Sequence, residues 1–240
     1  MKYVYFIMLT AALLYFGCQK EEQLQKKGNE CTHPIPTRVP LTAYNLRVNP
    51  LAPVQYDQSH CGYLPLGKNN YWVYRDSLFD YQTGQFQSTL IDTLRFKKTY
   101  QSEDSIIWWE PSASILYKGY FDKVYSVDTT VYIMAPGSFG YRWPIPVFFP
   151  TGTDSAAKMY RWDDVFFTYT IGKKISINIT VPAGSFSNCF LFTTASDFQP
   201  SPPGSYRYVV PGVGIIKFKA INLQTGYTTY TSELLSYHIE

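Results

Sequence analysis

Two short cysteine and histidine groups, Cys31-Thr32-His33 and His60-Cys61, together offer two thiolates and two imidazoles. That is the ligand set of a structural zinc site, although the spacing matches no finger pattern. The remaining histidine is His238, near the C-terminus, so the usual general base is nearly absent from most of the chain. Two carboxylate groupings, Asp163-Asp164 after Trp162 and Glu110 after Trp108-Trp109, could be offered as a glycosidase pair. Neighbouring strand residues point to opposite faces, so only one of Asp163 and Asp164 can enter a given cleft, and a turn suits them better. No nucleophile, base and orienting group come together in the sequence. The reading is a protein that is not an enzyme and takes no cofactor and no metal.

Binding is the better-supported chemistry. The rings of Trp72, Trp108, Trp109, Trp143 and Trp162 can stack against sugars or line a groove for a lipid or apolar peptide. Large aromatics also dominate the cores of β domains. Because Trp108 and Trp109 are adjacent, one must face away from the other, and Trp108, Trp109 and Trp143 are the ligand-binding candidates. Aromatic residues make up 18% of the 240-residue chain and charged ones only 16%, the balance of a folded core and not of a disordered segment. A formal charge of +3 builds no field for a nucleic acid.

The first residues carry an address. Lys2 is followed by an apolar run from Tyr3 to Phe16, the length of a signal-peptide core and too short to cross a bilayer. Gly17-Cys18 at its end resembles the lipobox of bacterial lipoproteins, with Tyr15 and Phe16 departing from the leucine and small residue usual there. The resemblance implies a signal peptide over 1–17 and a Cys18 that carries a diacylglycerol and an amide-linked chain such as palmitate. Several chains hold a protein on a membrane where one is marginal. Gln19-Lys20-Glu21-Glu22 resembles the acidic export signal of Bacteroidetes surface lipoproteins, which implies an outer-membrane protein facing the cell exterior. Residues 18–55 are expected to be a lipid-anchored linker, rich in Pro34, Pro36, Pro40, Pro50 and Pro53. Five tripeptides beginning at Asp76, Asp92, Asp104, Asp128 and Asp154 resemble the sites that Bacteroidetes O-glycosylate. They make Ser77, Thr93, Ser105, Thr129 and Ser155 glycosylation candidates, although Asp-Ser and Asp-Thr pairs also gather in turns.

With Cys18 acylated, three thiols are left, and at most one intramolecular bridge. Cys31 and Cys61 flank the proline-rich entry segment and are the expected disulfide, closing a loop of about 30 residues worth roughly 3 to 4 kcal/mol. In an oxidising compartment that outcome is simpler than zinc. Cys189, followed by Phe190-Leu191-Phe192, reads as a small apolar core residue.

From residue 56 to 240 the pattern predicts one antiparallel β domain. Short runs rich in β-branched and aromatic residues alternate with turns, and no window of eleven or more has the spacing of a capped amphipathic helix. Tyr71-Trp72-Val73-Tyr74 begins a hairpin that turns at Gln82-Thr83-Gly84-Gln85 into Gln87 to Tyr100, with Leu90, Asp92, Leu94 and Phe96 on one face. Further strands are expected over 105–110, 115–120, 123–128, 130–134, 159–162, 165–171, 174–181, 188–194, 206–210, 215–220 and 227–238. Residues 135–157, with Pro136, Pro144, Pro146 and Pro150, read as a long irregular loop. The fold class is all-β, a single curved antiparallel sheet or half-open barrel, with a β-sandwich as the alternative and little helix beyond the signal segment.

Val181-Pro182-Ala183-Gly184-Ser185-Phe186 and Val209-Val210-Pro211-Gly212-Val213-Gly214-Ile215-Ile216-Lys217 resemble a motif of bacterial lipoproteins of unassigned function, which are similar to the curved half-barrels of lipoprotein carriers. The resemblance covers about the last third of the chain and implies a concave, partly apolar face. The glycines permit positive φ or close approach at turns. The functional expectation is a membrane-anchored surface lipoprotein whose β domain binds a glycan, lipid or apolar ligand; the alternative is a scaffold subunit with an outer-membrane protein partner.

Overall fold

The computed structural model describes residues 44–45, 51–59, 62–112, 123–127, 130–136, 141–148, 156–162, 166–196 and 204–240, all within the compact unit His33–Glu240. Its strands are β1 (Tyr44–Asn45), β2 (Ala52–Val54), β3 (Tyr71–Phe79), β4 (Phe86–Gln101), β5 (Ile107–Pro111), β6 (Lys123–Ser126), β7 (Val131–Pro136) and β8 (Tyr141–Phe148). They continue with β9 (Ala156–Trp162), β10 (Phe166–Lys174), β11 (Ile179–Val181), β12 (Gly184–Phe186), β13 (Phe190–Ser196), β14 (Ser205–Val210), β15 (Gly214–Ile221) and β16 (Thr228–His238).

One 14-stranded antiparallel sheet runs in the order β1-β8-β7-β6-β5-β4-β3-β16-β15-β14-β13-β10-β9, with β2 added beside β4. It is curved and not closed into a barrel, and no helix occurs among the described residues. The fold class is thus the single curved sheet expected from the sequence. Most neighbours in the sheet are neighbours in the chain, as short un-knotted connections favour. The exceptions are β1 with β8, β2 with β4, β10 with β13, and β16, which returns to pair with β3 and joins the two runs of hairpins.

Strand β4 is the bend. Its first part pairs with β3 as far as Arg95, and from Phe96 onward it pairs with β5 instead. Trp72 and Phe96 meet edge to face at 5.8 Å inside that bend. Above it sits the segment from Tyr63 to Leu66, held by Tyr63 N donating to Val127 O at 2.8 Å and Leu64 N donating to Ser126 Oγ at 2.9 Å. The principal core gathers there: Tyr63, Leu64, Leu66, Trp72, Leu94 and Phe192 are all buried. The alternation of β3 explains its share, since Trp72, Tyr74 and Asp76 are buried while Arg75 between them is exposed.

Three expectations change. Strands β1 and β2 lie within the segment read as a linker to residue 55, so the sheet begins earlier; Pro53 is tolerated because β2 is an edge strand whose one neighbour is β4. The loop expected over 135–157 contains β8 and the start of β9. Pro144 and Pro146 share one parity and aim both missing donors at the same edge, and β1 covers β8 only at Tyr141 and Arg142. The strand expected over 174–181 breaks at 175–178, leaving Ile177 exposed, because β10 ends where its ladder with β13 ends, at Lys174 and Phe190. What remains, β11, forms a separate hairpin with β12 across Pro182-Ala183 and docks through Ala183 N donating to Leu234 O at 3.0 Å. The strand expected over 115–120 lies outside the described residues.

Candidate functional site

Trp108 and Trp109 are not available to a ligand, since both are 0% exposed. They do face opposite ways, as strand geometry requires, but β5 is covered on both sides. Trp109 enters the principal core and meets Tyr56 edge to face at 6.1 Å. Trp108 enters a second, smaller core with Ile106, Tyr125, Val127 and Met134, where its Nε1 donates to Ser102 Oγ at 3.1 Å. Adjacency leaves a ring wet only on a one-sided sheet, and this one is two-sided at β5. Trp143 lies in β8, paired with Ala135 of β7.

Cys18, Cys31, Cys61, Thr129 and Ser155 lie outside the described residues. Of the other hydroxyls, Ser105 is exposed at a tight turn with φ 62°, whereas Ser77 and Thr93 are half-buried within β3 and β4. Cys189 is a free, buried thiol. Its Sγ donates to the Phe186 carbonyl at 3.2 Å, and burial pushes its pKa up, which agrees with a core role.

The arrangement that sequence reasoning missed lies on the core side of the sheet, on β3, β16, β15 and β14. Asp76, Ser232 and Phe218 stand side by side across three strands, and Arg207 follows on the fourth. Tyr230 is two residues along from Ser232 on the same face. Its ring is 5.6 Å from that of Phe218, and the Arg207 guanidinium lies over the Phe218 ring, 5.1 Å from its centre. Arg207 is held by Nη1 donating to Thr194 Oγ1 at 3.0 Å and to Ser205 Oγ at 2.9 Å.

The floor of this arrangement is short of hydrogen bonds. Asp76 is 0% exposed and Tyr230 7%, yet neither Asp76 oxygen, nor Tyr230 Oη, nor Ser232 Oγ has a hydrogen-bond partner among the described residues. The two hydroxyls sit beside the carboxyl without reaching hydrogen-bonding geometry. Desolvation raises the Asp76 pKa, the Ser232 and Tyr230 hydroxyls oppose it, and the charge of Asp92 adds to the rise. Burial together with the adjacent carboxyl raises the Tyr230 phenol as well. Buried polar groups are normally satisfied, and inside this closed core the carboxyl and the two hydroxyls have one another as neighbours. The rim is more open: Leu78, Phe218 and Asp92 are half-buried and Leu90 is exposed. A lone buried aspartate on a flat strand gives no sequence signal beyond its place among Trp72 and Tyr74. Among the described residues no three His, Cys, Asp or Glu side chains cluster as a metal site.

No family model matches the chain, and no curated protein matches it. Two solved structures are similar to it. One, provisionally described as a lipoprotein of Parabacteroides distasonis, is 14% identical at a TM-score of 0.35 and aligns with 75% of this chain and 100% of its own. The other, provisionally described as an exported protein with a YmcC-like fold from Bacteroides fragilis, has the same identity and TM-score over 74% of this chain and 99% of its own.

Proposed function

We propose that the chain is a surface lipoprotein held to the outer membrane through acylated Cys18, and that its β domain binds a glycan without chemistry. Support for the anchor is Lys2, the apolar run and Gly17-Cys18. The observation that carries the binding reading is the half-buried Phe218 ring with the Arg207 guanidinium 5.1 Å from its centre, held by Thr194 and Ser205. A ring with a guanidinium beside it matches a sugar, which presents an apolar face to stack and hydroxyls to bond, better than it matches a wholly apolar ligand. The experiment is a glycan array with the wild-type chain and the Phe218→Leu and Arg207→Gln variants. A hit weakened by both variants supports the reading, and an array with no hit removes it.

A scaffold role is the second reading, favoured by one feature. Among the described residues the sheet path ends at β1 and β9, and sheet ends are templates for adding a partner strand.

A further inference from the structure

The opposite face of the same sheet carries a different chemistry. In antiparallel register, Lys173, Leu191, Tyr208, Lys217, Glu233, Arg75 and Ile91 form one row running from β10 to β4. Lys219 lies two residues along from Lys217 on the same face, and Arg95 lies further along β4, stacked 4.9 Å over the Tyr71 ring. Five cations thus share this face of β10 to β4 with one carboxylate. Glu233 is already engaged, by Arg75 at 2.9 Å and Lys217 at 2.9 Å. Lys173 and Lys219 have no ion pair among the described residues. From Lys173 to Arg75 the row crosses five strand spacings, or about 24 Å.

We infer that this face rests on anionic lipid headgroups of a bilayer. The charges are spread in two dimensions over a sheet face and not lined along a groove, which fits a plane of headgroups better than a single polymer chain. Each lysine or arginine near such a surface is worth about 1 kcal/mol, or roughly fivefold. Tyr206, half-buried between Lys219 of β15 and Thr193 of β13, is a side chain suited to a membrane interface. The exposed aliphatics Ile91 and Ile171 stand at opposite ends of the face, so it lacks the continuous apolar centre of a stable protein interface. The inference is independent of the glycan reading, which concerns the other face.

The test is co-sedimentation of residues 19–240, which contain every described element and lack the apolar leader, with phosphatidylglycerol/phosphatidylcholine vesicles and with phosphatidylcholine alone. Binding only to the anionic vesicles, weakening as salt screens the charges, is expected. Lys173→Glu with Lys219→Glu, whose fold is checked by circular dichroism, lowers the partition coefficient at least tenfold. Lys68→Glu, a charge reversal in the loop before β3 and outside the sheet, leaves it within twofold of wild type. Equal binding to neutral vesicles, no binding, or no effect of the double variant overturns the proposal. So does retention on heparin without vesicle binding, which would assign the face to an anionic glycan.

Discussion

Trp72 Nε1 donates to the Val213 carbonyl at 2.7 Å, joining residues 141 apart in the chain. Tyr74, next on the same face of β3, makes the matching bond from its hydroxyl to the Ile215 carbonyl at 2.9 Å. Between those carbonyls lies Gly214, with φ 98°, where an added Cβ would come within 2.5 Å of Leu64 Cδ1. The glycine turn between β14 and β15 is thus clamped by two rings from the far side of the core.

This clamp orders the cost of two substitutions. Gly214→Ala combines a left-handed backbone with a clash and is expected to destabilise by about 1 to 3 kcal/mol. Gly212→Ala, at φ 78° but facing open space, costs less. Trp72→Phe leaves the buried Val213 carbonyl unpaired, about 1 to 3 kcal/mol. Urea unfolding of the three variants checks the order; Gly212→Ala as costly as Gly214→Ala would contradict it.

Trp108→Ala and Trp109→Ala act on stability, each by about 3 to 5 kcal/mol, because both rings fill closed cores. Chemical denaturation measures the loss. A variant that unfolds like wild type would return its ring to the list of ligand contacts.

The raised pKa of Asp76 makes a signed prediction about pH. Its protonated form is the one that the fold accepts, so its contribution is fully present below the unfolded value of 3.8 and is lost as pH rises through the raised folded value. Asp76→Asn keeps a neutral side chain at every pH. The variant's stability relative to wild type therefore increases as pH rises above 3.8 and levels once Asp76 is ionised in the folded state. Glu110 and Glu233, both with lowered pKa values, act in the opposite sense but equally in the two proteins, and so drop out of the difference. Parallel stability profiles would show that Asp76 does not titrate in this way.

Thiol counting separates the cysteines. In a Cys18→Ser protein kept oxidised, the predicted result is no labelling of the native state and one labelled thiol, Cys189, after unfolding. Three labelled thiols would rule out the proposed Cys31 and Cys61 bridge.

The hairpin of β3 and β4 was legible because period-two alternation and Gly84 at φ 70° are local signals. The turn at Gly212 and Gly214 was legible for the same reason. Strand β8 was hidden by Pro144 and Pro146, whose tolerance depends on an edge that only the assembled sheet defines. The burial of both Trp108 and Trp109 was hidden too, since it depends on a second layer formed by Tyr125, Val127 and Met134, distant in sequence. The Asp76 grouping was beyond reach for a related reason: its members lie on β3 and β16, brought together only by the long return of the last strand.

The anchor remains the claim on which location depends, and intact mass spectrometry of the mature protein from membranes tests it most directly. The account predicts a polypeptide that begins at Cys18 and carries a diacylglycerol thioether with an amide-linked acyl chain. A mature chain that begins elsewhere, or one that begins at Cys18 with no added lipid mass, would contradict it.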